Sequence, residues 1–389
     1  MEHSLGLLEF VMFWLFAAIA AAGSVYALAA TLLVRRFARG ASPKTLLSPA
    51  VTILKPLHGA EPFLYENLSS FCRQDYAGPV QIVFGVQDPA DPAVAVVRRL
   101  IGEFADADLD LVVDPRVHGA NRKIANLINL SQHVRHDVLV IADSDMRVSP
   151  DYLARVVGAL EEPGVGLVTC LYHGAPEPGL RARLAAMAID YHFLPSVLVG
   201  LCLGLARPCF GSTIAIRREM LERIGGFQAF ADQLADDHAM GEAVRRMGGK
   251  VAIPSLVVAH TCPTGNAVEL LQQELRWART IRAVNPTGFF GSLVAHPLPF
   301  ALMALLVGDF DAAAAPIVAG VLLCRLALQR QVDLAIGAEA SRWRLGPLRD
   351  LMSFLVFVAS FFVTAVNWRG HRYRVHSDGT LSRLRTEAP

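Results

Sequence analysis

Two aspartates separated by one residue, Asp143-Ser144-Asp145, directly follow the apolar run Val138–Ala142. If that run is a strand, the pair stands at its carboxyl end, where alternate residues of an extended chain point the same way. Both carboxylates would then face one divalent cation or its water shell. Hard oxygen ligands suit Mg2+ or Mn2+ and leave coordination positions for phosphate oxygens. The same residue types also suit a turn and a helix N-cap.

Four further groups carry chemistry. Asp88 closes the run Val80–Val86 and could accept hydrogen bonds from a base N–H or ribose hydroxyls, or simply cap the next helix. Gly119-Ala120-Asn121-Arg122-Lys123 opens a helical stretch with Asn126 one turn on. Lys123 and that helix N-terminus could hold diphosphate oxygens, or form an ordinary solvated helix start. Asp236-Asp237 also begins a helical stretch. Adjacent carboxylates repel, which raises one pKa and makes one of them a candidate general base; complementing the helix dipole is the other reading. Finally, Gln273, Arg276 and Trp277 share one helix face. Trp can floor a sugar or lipid pocket and Arg can grip phosphate with two nitrogens, though both are also enriched at membrane interfaces. Together these groups match what sugar transfer from a nucleotide diphosphate needs: a gripped nucleotide, a neutralised leaving group and a base for the acceptor hydroxyl.

The elements that must position them are legible as an alternation. Val51–Leu54, Val80–Val86, Leu109–Val113 and Val138–Ala142 read as buried parallel strands. Glu61–Arg73, Pro89–Phe104 and Asn121–Val134 read as the helices between them. Such alternation implies a Rossmann-like α/β sheet, with ligands beyond the carboxyl ends of its strands. The second half is less regular. Gly211–Arg217 reads as a strand, and Ala235–Met247 and Ala267–Ala283 as helices.

The chain has 389 residues, 53% hydrophobic and only 18% charged, which points to membrane segments attached to a soluble domain. A net charge of +1 gives no reason to expect nucleic acid as a partner. The six cysteines share no short spacing, so neither a zinc site nor a disulfide framework is indicated. Phe10–Val34 is long enough to cross a bilayer, and Arg35, Arg36 and Arg39 after it place the next part of the chain in the cytosol. A cleaved signal peptide would need a shorter apolar region and a basic start. Phe193–Ala206 is apolar but short and reads as an interfacial or re-entrant helix. Phe289–Val307 and Ala312–Leu328 read as a hairpin around Gly308-Asp309-Phe310-Asp311, with Leu351–Val366 as a third segment. Parity then exports a tail bearing Arg369, Arg372, Arg374, Arg383 and Arg385, against the positive-inside rule. The expectation is therefore that Leu351–Val366 bends back. The expected domains are an anchor at 1–36, an α/β domain at 49–288, membrane segments at 289–368 and a basic tail at 369–389.

The order Asp, DxD, Asp, QxxRW resembles the pattern of inverting family 2-type glycosyltransferases. Leu54-Lys55-Pro56-Leu57, Val86-Gln87-Asp88, Asn121-Arg122-Lys123-Ile124, Ala142-Asp143-Ser144-Asp145, Ala235-Asp236-Asp237 and Trp368–Arg374 resemble ceramide glucosyltransferases, over nearly the whole chain from Val51 to Thr380. The resemblance implies a GT-A fold between membrane helices. It makes Asp237 the base and Asp143 and Asp145 the holders of Mg2+ or Mn2+. Lys55, Asp88, Lys123, Asn126, Asp143, Gln273, Arg276 and Trp277 would bind a UDP-sugar. Within the family the wording of Leu54–Ala60, Phe71–Asp91 and Ile189–Ser212 is similar to bacterial hopanoid-associated glycosyltransferases. That implies bacteriohopanetetrol as acceptor, UDP-GlcNAc as donor and a multi-pass enzyme of the bacterial inner membrane with a cytoplasmic catalytic domain. The alternatives are ceramide with UDP-glucose, a processive polysaccharide synthase, and a non-catalytic membrane scaffold.

Overall fold

In the computed structural model the described residues are 2–41, 44–45, 47–262, 265–309, 314–338, 340–362, 365–368, 371–375 and 381–383. They divide into two compact units, each assembled from separate stretches of chain. One comprises 1–39, 176–206 and 264–367, the other 40–175, 207–263 and 368–389.

The second unit is built on strands β1 (Val51–Pro56), β2 (Val80–Val86), β3 (Asp108–Val113), β4 (Val138–Ile141), β5 (Met146–Arg147), β6 (Val165–Thr169), β7 (Leu171–Pro176), β8 (Ile214–Arg217), β9 (Lys250–Ala252) and β10 (Val257–Cys262). Its main sheet has the order β3-β2-β1-β4-β8-β6-β9. The pairs β1–β2, β2–β3 and β1–β4 are parallel, as the alternation implied, whereas β8 runs antiparallel to both β4 and β6. Successive side chains alternate between two apolar layers. In one layer Ile53, Ile82, Phe84 and Val140 pack with Leu64, Leu68, Phe71, Val97, Val156 and Val157. In the other, Leu54, Val83, Leu139 and Ile141 pack with Ile124, Leu127, Leu130, Met240 and Val244. With both faces covered, β1 is buried along its whole length. A smaller sheet, β5-β10-β7, was not legible in the sequence; in it Met146 pairs with His260.

The helices between the strands are shorter than expected, at Leu64–Cys72, Ala93–Glu103 and Arg122–Ser131. Asn121 caps the last of these, its side chain accepting from the backbone of Lys123 and Ile124. Asp236–Arg246 is helical, as expected.

The first unit is helical. Glu2–Ala38 packs along Pro297–Val307 and Ala315–Ile336. Among the described residues two helices are long and apolar enough to cross a membrane, Gly6–Ala38 and Leu180–Cys202. The second corrects the short segment expected at 193–206: the helix starts at Leu180 and contains a π-helical turn at Ile189–Phe193. Its polar residues broke the apolar run in the sequence, but they are paired. Asp190 accepts from Arg342 at 2.7 Å, and His192 lies 3.0 Å from Asp350. The segment expected at 289–307 is also not one straight helix. Pro286–Ala295 and Pro297–Val307 meet at a bend of 58°, where Pro297 lacks the N–H that would continue the ladder. Of the expected loop at 308–311, residues 310 and 311 lie outside the described residues, as do 363 and 364 of the third segment, whose helix is Gly346–Ala359. Much of the tail also lies outside them; His371–Val375 pairs antiparallel with Leu381–Arg383.

Candidate functional site

The carboxyl end of the main sheet gathers most of the acidic candidates. Asp143 follows β4, and its main chain is held on both sides. Its N–H donates to the Gly211 carbonyl at 3.1 Å, and its carbonyl accepts from Lys55 Nζ at 2.6 Å. Lys55 is fully buried over the Phe71 ring, 3.9 Å from its centroid. Burial lowers its pKa to about 7, against the pull of Asp143 and Asp145. The side chain of Lys55 thus anchors the loop that carries the acidic pair.

Lys123 Nζ stands 2.8 Å from Asp143 Oδ1 and 3.4 Å from Asp236 Oδ2. Burial works against its charge, but Asp143, Asp236 and Asp237 hold its pKa above the ordinary value. Asp236 is buried and accepts from Asn121 Nδ2 at 3.1 Å. Asp237 is half-buried; its Oδ2 accepts from the Gly211 N–H at 2.9 Å and its Oδ1 from the His238 N–H at 2.8 Å. Burial and then the neighbouring Asp236 push its carboxyl up to about 6. This is the environment of a proton acceptor that works near neutrality.

Asp145 is held by β10. Thr261 N–H donates to its carbonyl at 2.9 Å, and His260 Nε2 lies 3.2 Å from its Oδ2. Burial would raise the Asp145 carboxyl, but His260 outweighs it and the pKa falls below the usual range. Its Oδ1 is shut from solvent and has no hydrogen-bond partner. A hard, ionised oxygen of this kind fits a divalent cation. Among the described residues no three His, Cys, Asp or Glu side chains form a closed metal cage, so such a cation would take its remaining ligands from water or phosphate.

The other sequence candidates separate. Asp88 is exposed beyond β2, its Oδ1 accepting from the Ala90 N–H at 2.8 Å. Asn126 is buried, and its Nδ2 donates to the Gly85 carbonyl at 2.8 Å, which ties its helix to the sheet. Gln273, Arg276 and Trp277 are half-buried on the helix Ala267–Val284 of the first unit. That helix begins with a capping box between Asn266 and Glu269. Sequence reasoning missed Gly211 and His260. His260 carried one signal, its place at the end of the apolar run Leu256–Ala259; Gly211 carried none.

A family model described as glycosyl transferase family 21 matches residues 15–381. Ceramide glucosyltransferase 1 of Caenorhabditis elegans is 24% identical over 239 residues, 61% of this chain and 51% of that protein. An N-acetylglucosaminyltransferase of Rhizobium leguminosarum bv. viciae is 24% identical over 241 residues, 60% of this chain and 55% of that protein. The chain thus spans about half the length of these curated relatives. A mannosyltransferase from Pyrobaculum calidifontis, solved in complex with GDP-Man and Mn2+, superposes with a TM-score of 0.51 at 23% identity, covering 89% of this chain and 99% of that one. That likeness bears on the fold, which is the mixed α/β GT-A type. With the family model spanning both units, the chain belongs to glycosyl transferase family 21.

Proposed function

We propose that this chain transfers a sugar from a UDP-sugar to a lipid hydroxyl with inversion at the anomeric carbon. The observation that carries the reading is Asp237, a carboxylate raised to about 6 and tied through Gly211 to the acidic pair. Asp237 takes the proton of the acceptor hydroxyl as that oxygen attacks the anomeric carbon. The bond to the diphosphate breaks on the opposite face, and UDP leaves. Lys123 supplies positive charge beside Asp143 for the diphosphate. A divalent cation held by Asp143 and Asp145 would neutralise the departing phosphates. Asp88 is assigned to the nucleoside, and Gln273, Arg276 and Trp277 to the donor, on the motif alone.

The relatives support a lipid acceptor, since several of them are named as ceramide glucosyltransferases. Bacteriohopanetetrol with UDP-GlcNAc is the finer reading, on the resemblance of Leu54–Ala60, Phe71–Asp91 and Ile189–Ser212. Ceramide with UDP-glucose is the second. We place the chain in the bacterial inner membrane with its catalytic unit in the cytoplasm. The test is the purified protein with each donor and each lipid, the product identified by mass spectrometry. A single sugar on bacteriohopanetetrol is expected. A long polymer, or no transfer from any nucleotide sugar, overturns the reading.

A further inference from the structure

We infer that Arg349 is a positioning residue for the motif Gln273–Trp277, acting through Glu274, a position that the QxxRW pattern leaves open. The inference rests on the reading of Gln273, Arg276 and Trp277 as donor-binding. Arg349 is 0% exposed and Glu274 8%. Nη1 of Arg349 donates to Oε1 of Glu274 at 2.7 Å and Nη2 to Oε2 at 2.8 Å. Two parallel bonds from a planar group fix direction as well as distance.

The guanidinium is itself held in place. Its Nε donates to Ser353 Oγ at 3.0 Å, and Nη1 also donates to the Leu184 carbonyl at 3.2 Å. One side chain on the helix Gly346–Ala359 thus joins the helix Leu180–Ala188 to the motif helix. Two other contacts of the motif helix are less directional. Ala278 sits in an apolar cluster with Phe289, Val356 and Phe357, and Arg282 lies over the Phe361 ring at 5.2 Å. Apolar burial tolerates a helix turning about its axis, whereas the fork does not. A rotation that breaks it carries Gln273, Arg276 and Trp277 away together, because they are fixed to the same helix. Stability alone is a poor reason for the pair, since apolar residues of similar volume often hold a fold as well as a buried ion pair.

The experiment uses the full chain in detergent, with UDP and Mn2+ as the binding probe and thermal unfolding alongside. The double variant Glu274→Leu with Arg349→Met should unfold within a few degrees of the parent, yet bind UDP about ten- to hundred-fold more weakly. Arg349→Lys keeps the charge without the fork and should fall between. Parental UDP affinity in a folded double variant overturns the inference. If the double variant does not fold, parental affinity in folded Arg349→Lys overturns it instead. Arg276→Ala separates the two readings. Parental affinity in Arg276→Ala overturns the donor assignment, whereas loss there with parental affinity in the double variant overturns the positioning role alone.

Discussion

Asp143 and Asp237 hang on the same residue: the Gly211 carbonyl accepts from the Asp143 N–H, and the Gly211 N–H donates to the Asp237 carboxylate. The loop proposed to hold the cation and the proposed proton acceptor are therefore set by one stretch of main chain, and a shift of either is felt by the other.

Gly211→Ala tests that link. A Cβ there would stand 2.5 Å from Asp143 Oδ2 and 2.7 Å from Lys123 Nζ. The short Asp143 side chain has little room to yield. Turnover should fall by about 10²-fold while thermal unfolding moves little, as measured by transfer assays and a melting curve. A variant with parental turnover would show that the link is slack.

Asp237→Asn keeps the shape and removes the proposed proton acceptor. Turnover should fall by ~10²–10⁴-fold, with UDP affinity within a few-fold of the parent. Because the base must be ionised, the parental rate should rise with pH through about 6 and then level. A pH–rate profile of the parent that is flat across that region would contradict the assignment.

Chelation addresses Asp145. EDTA should stop turnover, and Mg2+ or Mn2+ should restore it. Asp145→Ala should weaken UDP-sugar binding in the presence of metal and change little without it, by calorimetry. Full turnover in excess chelator would remove the cation from the reading.

Asn126→Ala asks whether that residue serves the donor or the fold. Its amide satisfies the buried Gly85 carbonyl, and losing such a partner costs about 1–3 kcal/mol. Stability should drop by that amount in urea unfolding, with UDP affinity of the folded protein unchanged. Weaker UDP binding at unchanged stability would return Asn126 to the donor site.

The first half of the sheet was legible because β1, β2 and β4 are buried on both faces and read as continuous apolar runs with helices between. The second half was not. β8 reverses direction in the centre of the sheet, and β9 has only three residues, too few for a pattern. The acidic residues were legible because they end strands or begin helices. Gly211 and His260 were not, because their roles arise from partners distant in sequence: Asp237 for one, Asp145 for the other. The helix Leu180–Cys202 was half-missed because Asp190 and His192 look like surface residues until Arg342 and Asp350 are seen beside them.

The tail can be placed by labelling. The described tail residues, 371–375 and 381–383, fall in the same compact unit as the α/β sheet. A cysteine replacing Ser382 should resist membrane-impermeant thiol reagents in intact cells and react after permeabilisation. Efficient labelling in intact cells would put the tail on the other side of the membrane.

The strand β8 lies between β4 and β6 in the sheet, yet the apolar helix Leu180–Cys202 precedes it in the chain. During synthesis the ribosome therefore delivers β1 to β7, then a segment suited to the bilayer, and only then the strand that closes the gap. A nascent chain ending near residue 175 holds β4 and β6 with nothing to pair between them. If Leu180–Cys202 enters the bilayer, completion of the sheet waits on that insertion, and a defect in insertion would present as a folding defect of the α/β unit.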